Sequence, residues 1–179
     1  NPDEINTVAE NAIEASKYSE PDDYLELPSA LQPSAISQPL IFDNDIASLS
    51  ESDAINRTLL IESSAFNGDN RIKKIRKASG SFSTNNTYIV NSHGINAHYQ
   101  STGCSAQLMA IAEEGSESQL GWDYQGSRFL KDVSFEEVGR TAARRAAQLL
   151  GARKINSIKG FVLLDNSVST EFLGILSSA

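Results

Sequence analysis

The fold is decided by one stretch of sequence, TYIVNSHGINAHY at residues 87–99. Its first part, residues 87–92, is rich in β-branched and aromatic residues, which favour β-strands. His93 and Gly94 then supply a tight turn into a second run, residues 95–99. The stretch therefore predicts a β-hairpin.

Strand-like sequence continues on both sides of this hairpin, from Arg71 to Phe129. A run at residues 107–112 ends at Glu113-Glu114-Gly115, and a further run follows at residues 118–124. The last run places its apolar side chains on one face, and these are Leu120, Trp122 and Tyr124. About four sequential strands with short turns predict an antiparallel meander.

Two helices are predicted before the meander. Residues 4–17 have apolar residues at the i, i+3, i+4 spacing, and Asp3 can cap their start. A second helix begins near Ser50, where Ser50-Glu51-Ser52-Asp53 approximates a capping box, and ends at Asn67-Gly68. Its apolar positions are Ile55, Leu59, Leu60 and Phe66.

A proline-rich connector separates these two helices. Residues 19–39 contain all but one of the five prolines, which makes a regular helix or a central strand unfavourable there. These prolines are Pro21, Pro28, Pro33 and Pro39. The segment is typical of a connector between two modules.

The helix after the meander has a strong start signal. Ser134 and Glu137 form a capping box, in which the serine oxygen accepts from the Glu137 amide and Glu137 reaches back. Val138, Ala142, Ala146 and Leu149 line one face, and Gly151 closes the helix. Three arginines near its end are interpreted as charges on an exposed face, namely Arg140, Arg144 and Arg145.

The C-terminal sequence predicts one more strand and one more helix. Residues 160–164 are typical of a buried strand, and Asp165 can cap a helix that packs Val168 and Phe172 inward. The fold class is therefore α+β. An antiparallel β-meander is covered on one face by helices and is followed by a helix–strand–helix segment.

The charge distribution argues against direct nucleic-acid binding. The chain of 179 residues has a net charge of −8, and residues 1–66 hold 13 acidic but only 2 basic residues. The one dense basic cluster comprises Arg71, Lys73, Lys74, Arg76 and Lys77. It predicts a solvent-exposed edge strand whose charges prevent pairing with other chains, and not a DNA-binding surface. No apolar run is long enough to span a membrane.

No catalytic constellation emerges from the sequence by itself. His93 and His98 can approach each other on a hairpin, but no carboxylate lies near them in sequence to complete a metal shell. The single cysteine, Cys104, is interpreted as a half-buried structural thiol. A single cysteine permits no internal disulfide, which fits a reducing compartment.

Three motifs resemble the TldD/PmbA family. Residues 91–95, followed by residues 99–102, look like the family's N-S-x-G hairpin. Residues 138–146 and 150–154 are similar to its following helix and loop. A strand ending at Val162-Leu163-Leu164 is then expected after a short gap, as in that family. The resemblance implies a metallopeptidase family whose members are also named modulators of DNA gyrase.

The resemblance also implies a domain division. Residues 1–40 are expected to be a helix and connector from the preceding domain. Residues 41–157 are expected to form the central α+β domain. Residues 158–179 are expected to begin a truncated C-terminal domain, so that the chain is an internal piece of a longer protein.

The resemblance places three residues where TldD-type subunits carry a His-Glu-x-x-x-His metal motif. Asp165 and Thr170 stand at the histidine positions, and Asn166 stands at the position of the catalytic glutamate. An asparagine has no proton-accepting state near neutral pH, and a threonine is a poor zinc ligand. We therefore expect no catalytic, cofactor-binding or metal-binding residue in this chain.

The family resemblance gives a functional expectation. The chain is expected to come from a PmbA-type subunit of a cytoplasmic peptidase complex. In that complex a TldD-type subunit supplies zinc, and the PmbA-type subunit helps to hold an extended or unfolded peptide. Two alternatives stay open. One is a scaffold protein without a proteolytic partner, and the other is an independent hydrolase whose ligands lie in the missing C-terminal part.

Overall fold

The computed structural model describes residues 2–29 and 40–178. Its elements, in chain order, are α1 (Pro2–Ser16), α2 (Asn44–Ala47), α3 (Glu51–Gly68), β1 (Ile72–Val90), β2 (Asn96–Glu114), β3 (Glu117–Ser127), a 3-10 turn (Leu130–Asp132), α4 (Phe135–Gln148) and α5 (Asn166–Ser177). Residues 20–29 of the connector form neither helix nor strand, as predicted. Pro33 and Pro39, and the side chain of Asp3, lie outside the described residues.

The three strands form one antiparallel sheet in the order β1-β2-β3. The predicted hairpin is confirmed, since Val90 pairs with Asn96 around a turn in which Gly94 has a φ of 88°. The prediction of about four strands is wrong. Gly103 pairs with Ser83 in an unbroken ladder, so residues 96–114 form a single long strand instead of two short ones.

Helices cover one face of this sheet. Alternate residues of β2 are buried beneath α3 and α4, and these are Ala106, Leu108, Ala110 and Ala112. On β3, Gly121 is buried, whereas Trp122 and Tyr124 point to the exposed face. The predicted α+β class and the one-sided cover are therefore confirmed. Four residues of the basic cluster lie on an edge strand, β1, as predicted, and Arg71 immediately precedes this strand.

The start of α4 differs in one detail from the predicted capping box. The Ser134 hydroxyl accepts from the Glu137 amide at 3.3 Å, as predicted. Glu137 does not reach back, because its carboxylate accepts from the Thr141 hydroxyl at 3.0 Å. The Ser134 amide instead donates to the Gln125 side chain at 2.9 Å, since β3 lies beside the helix start.

The buried face of α3 is not the predicted one. Ile55 and Leu59 are more than half exposed, whereas Ile61 and Ala65 are completely buried. The reason is the crossing with α4 at Gly139. A Cβ atom at this glycine would lie 2.2 Å from the Ile61 carbonyl oxygen, so the two helices meet there almost backbone to backbone.

The C-terminal prediction is half right. The helix is confirmed as α5, with Asp165 as its N-cap. The strand at residues 160–164 is wrong, because no described strand lies beside it and Phe161 and Leu163 are fully exposed. The inward packing of Val168 and Phe172 is also wrong, since no residue of α5 is buried.

Candidate functional site

The segment that the family resemblance aligns with the metal motif of TldD-type subunits lies at the first turn of α5. The Asp165 carboxylate accepts from the Ser167 hydroxyl at 2.7 Å and from the Ser167 amide at 3.0 Å. These bonds, with the hydroxyl as the larger cause, lower the pKa of Asp165. Asp165 is therefore an ionised helix cap, which places a negative charge at the positive end of the helix dipole.

The other two aligned residues lie one helical turn apart. The Thr170 hydroxyl donates a hydrogen bond to the Asn166 carbonyl oxygen at 2.8 Å, so this side chain is held against the backbone of its own helix. Within this segment, hydrogen bonds thus link Thr170 to Asn166 and Ser167 to Asp165. All three residues make local bonds that stabilise the start of a helix.

This donor set does not fit zinc. Zinc sites in proteins use thiolate, imidazole and carboxylate ligands. Only Asp165 offers such a group, and its Oδ1 atom already accepts two hydrogen bonds from Ser167. Within residues 2–29 and 40–178, no group of three or more His, Cys, Asp or Glu side chains is arranged to hold a metal ion.

A cleft of about 650 Å³ lies between the start of α5, the outer side of α4 and β3. Its walls include Trp122, Arg144, Arg145, Leu149, Asp165 and Val168. Both arginines lower the pKa of the Asp165 carboxyl through their charge, in addition to its bonds with Ser167. The cleft therefore combines an apolar wall with a charged rim.

Arg145 has a role that sequence reasoning missed. It donates to the Asp123 carboxylate at 2.7 Å and to the Trp122 carbonyl oxygen at 2.9 Å, so it joins α4 to β3. Burial raises the pKa of Asp123, and Arg145 opposes this effect. The interpretation of Arg145 as a simple surface charge is wrong. The alternation along β3 places Asp123 on the helix side, but local spacing does not reveal the partner.

The two histidines do not form a common site. The His93 ring lies at the hairpin turn, where its Nδ1 atom is 2.9 Å from the Leu27 carbonyl oxygen. The His98 ring stacks on Tyr88 with 4.2 Å between ring centroids. Each ring therefore has its own separate contact, and neither contact is with the other histidine.

Cys104 packs as a structural thiol, as predicted, but it is buried where a half-buried thiol was expected. It is buried, and its Sγ atom lies 3.6 Å from the Phe129 carbonyl oxygen. Burial raises the pKa of this thiol, so it stays protonated at neutral pH. A protonated and buried thiol is a poor nucleophile.

The family model of the PmbA/TldA metallopeptidase central domain matches residues 44–150 of this chain. The chain belongs to the PmbA/TldD family. The matched residues run from α2 to just beyond α4, so they contain the sheet and the helices that cover it.

Two curated relatives match nearly the whole chain. The metalloprotease PmbA homolog of Buchnera aphidicola subsp. Acyrthosiphon pisum (strain APS) is 32% identical over 179 aligned positions, and the match covers 98% of this chain and 39% of that protein. The metalloprotease PmbA of Escherichia coli O157:H7 is 30% identical over 187 residues, covering 99% of this chain and 40% of that protein. The chain thus spans about two fifths of the length of these relatives.

A solved structure supports the fold. A crystal structure from Bacteroides thetaiotaomicron VPI-5482, which carries the name of a modulator of DNA gyrase, has a TM-score of 0.72 at 24% identity. The similarity covers 87% of this chain and 36% of that chain. It shows that the two share the fold.

Proposed function

We propose that this chain is part of a PmbA-type subunit that acts beside a TldD-type metallopeptidase subunit and contributes no catalytic metal of its own. The observation that carries the proposal is the segment from Asp165 to Thr170. At the positions aligned with the metal motif, its side chains cap and stabilise α5. Asn166 also offers no group that can accept a proton near neutral pH.

The proposed role of the subunit is to hold an extended or unfolded peptide near the zinc of its partner. Strand addition supplies main-chain hydrogen bonds with little demand on the peptide's sequence. The sheet has two edge strands, β1 and β3, and β3 borders the cleft that contains Trp122 and Asp165. We therefore expect the peptide to add at the β3 edge.

The charge of the chain favours a peptide over DNA as the direct ligand. The net charge is −8, and the N-terminal 66 residues carry all of the acidic excess, since the remaining residues hold 13 basic and 10 acidic side chains. DNA-binding surfaces neutralise phosphates with concentrated lysine and arginine. Under this proposal, an effect on gyrase arises indirectly, through processing of a peptide or protein that acts on it.

The proposal extends to the rest of the protein. Residues 1–40 come from a preceding domain, residues 41–157 form the central domain, and residues 158–179 begin a C-terminal domain. The site of action is the cytoplasm, which suits a chain with one buried cysteine. None of the helices in residues 2–29 and 40–178 has the length and apolar character of a membrane span.

The test is metal analysis of the whole protein, purified without chelator, together with cleavage of an unfolded peptide. We expect no bound zinc and no cleavage by the protein alone, and cleavage after a TldD-type subunit is added. Stoichiometric zinc with cleavage by the protein alone would instead identify an independent hydrolase. No stimulation of any TldD-type subunit would favour a scaffold role.

A pair of variants sharpens this test. Asn166→Ala in the whole protein is expected to leave cleavage by the mixture unchanged, because Asn166 has no catalytic role in the proposal. Trp122→Ala, in the wall of the cleft, is expected to raise the KM of the mixture for the peptide. A large fall in kcat for Asn166→Ala would contradict the proposed division of labour.

A further inference from the structure

The outer edge of β3 carries the main-chain groups of its even-numbered residues. The Thr102 amide donates to the Ile41 carbonyl oxygen, so the even-numbered residues of β2 direct their main-chain groups away from β1. The register pairs these residues with the odd-numbered residues of β3. The amides and carbonyl oxygens of the even-numbered residues of β3 therefore point away from β2. The bond from Arg145 to the Trp122 carbonyl oxygen agrees with this assignment.

Arg145 and Asp123 together occupy the middle of this edge. The Nη1 atom of Arg145 donates to the Trp122 carbonyl oxygen at 2.9 Å and to the Asp123 carboxylate at 2.7 Å. Burial raises the pKa of Asp123, and Arg145 and the Tyr124 amide, which both donate to its carboxylate, oppose this effect. The pair thus engages one outward carbonyl oxygen and the next outward amide. One residue of an added parallel strand would bond to these same two groups.

The contact between Arg145 and Asp123 is sheltered from solvent. The two side chains are 33% and 13% exposed, whereas Arg140 and Glu136, another ion pair on α4, are 55% and 49% exposed. Solvent weakens an exposed ion pair more than a partly buried one. The Arg145–Asp123 pair is therefore the more persistent of the two, and it stays on the edge when the edge is empty.

This pair lies across the path proposed for the peptide. The cleft of about 650 Å³ borders one part of the edge, at Leu120 and Trp122, and Arg145 lines the same cleft. Beyond Arg145 the edge continues with Tyr124 and Gly126. An extended peptide that pairs from Leu120 to Gly126 spans about 20 Å and must pass the Trp122 carbonyl oxygen. A main-chain amide of the peptide then competes with Arg145 for this acceptor.

We infer that the Arg145–Asp123 pair is a latch on the peptide-binding edge of β3, an inference that rests on the proposed function. When no peptide is bound, the latch closes the middle of the edge and protects it from unwanted strand pairing. An extended peptide opens the latch, because it supplies an amide for Trp122 and a carbonyl oxygen for Tyr124. This exchange needs main-chain groups that are not already hydrogen-bonded, which an unfolded peptide has and a folded protein interior lacks.

The test removes the latch as a unit in the whole protein, mixed with a TldD-type subunit. The double variant Asp123→Val with Arg145→Met leaves neither an unpaired carboxylate nor a donor for the Trp122 carbonyl oxygen. We expect the KM of the mixture for an unfolded peptide to fall about 10-fold at unchanged kcat. A purely structural role of the pair would not lower the KM.

A milder variant covers the case in which the double variant does not fold. Asp123→Asn keeps the size of the side chain but removes the charge that holds Arg145, so we expect the KM to fall about 3-fold. The control is Glu136→Gln with Arg140→Met, because this pair joins two turns of α4. The control is expected to leave the KM unchanged.

The possible outcomes separate the latch from the proposed function. A KM that is unchanged or raised in the Asp123 variants, while the original mixture cleaves the peptide, would overturn the latch and leave the proposed function standing. An equal fall in KM for the control pair would also overturn the latch. No cleavage by the original mixture would contradict the proposed function, and the latch with it.

Discussion

At the scale of single residues, Gly121 sets the distance between the sheet and α4. A Cβ atom at this position would lie 2.2 Å from the Ala146 amide nitrogen and 2.5 Å from the Ala142 carbonyl oxygen. Both are backbone atoms, so neither can rotate away. We expect Gly121→Ala to lower the free energy of unfolding by about 1–3 kcal/mol in urea denaturation, as overpacked sites do.

Gly103→Ala is the matched control for this substitution. Gly103 lies on the neighbouring strand β2, and the single contact of a Cβ atom there would be the Ser83 hydroxyl at 3.2 Å. A hydroxyl can rotate, so we expect a change of less than about 0.5 kcal/mol. Equal losses for the two variants would show that strand glycines are sensitive in general, and would contradict the role given to Gly121.

Asp69 gives a prediction about acid stability. Its carboxylate accepts from the Arg71 side chain at 2.7 and 3.0 Å and from the Arg71 amide at 2.9 Å. These bonds lower the pKa of Asp69 from 3.8 to about 2. Because the pKa of Asp69 is lower in the folded state, its ionised carboxylate stabilises the folded protein at pH values above the ordinary pKa of 3.8. This contribution is lost as the pH falls through about 2.

The measurement compares Asp69→Asn with the original protein in urea. We expect the variant to be less stable at neutral pH, and the difference between the two proteins to shrink as the pH falls from about 4 to about 2. A difference that stayed constant over this range would mean that the ionised carboxylate is not what stabilises the turn after α3.

At the scale of elements, the start of α4 depends on two caps from different parts of the chain. The Ser134 hydroxyl accepts from the Glu137 amide, and Gln125 of β3 accepts from the Ser134 amide. Ser134→Ala is expected to lower the free energy of unfolding by about 1 kcal/mol, measured in urea. Glu137→Gln is expected to have a smaller effect, whereas a true capping box would make both residues matter.

Local signals predicted most elements, and tertiary contacts explain the failures. The hairpin at residues 87–99, the caps Ser50, Ser134 and Asp165 and the helix stop at Gly68 depend on neighbours in sequence, so the sequence reveals them. The buried face of α3 depends on where Gly139 lets α4 cross. No local pattern in α3 contains that information.

The same distinction between local and distant contacts applies to the candidate site. The capping role of Asp165 was foreseen from its position before the apolar residues of α5. The link from Arg145 to Asp123 joins residues that are far apart in sequence, so it needed the structure. The strand predicted at residues 160–164 failed because an apolar run forms a strand only where another strand can pair with it.

At the scale of the whole molecule, residues 158–178 stand apart from the core. Phe161 and Leu163 are fully exposed, and α5 buries none of its residues. In contrast, α3, α4 and the sheet share one buried cluster. We expect deletion of residues 158–179 to change the free energy of unfolding of the remaining chain by less than about 1 kcal/mol, because little apolar surface is uncovered.

The same exposed residues should behave differently in the longer protein. Phe172 and Leu173 on α5 are 55% and 65% exposed, which is the surface expected of a helix that packs against a further domain. Amide hydrogen exchange in α5 is therefore expected to be fast in this chain and strongly slowed in the whole protein. Fast exchange in both would mean that α5 is not part of a C-terminal domain. A large loss of stability on deletion would instead place α5 in the central core.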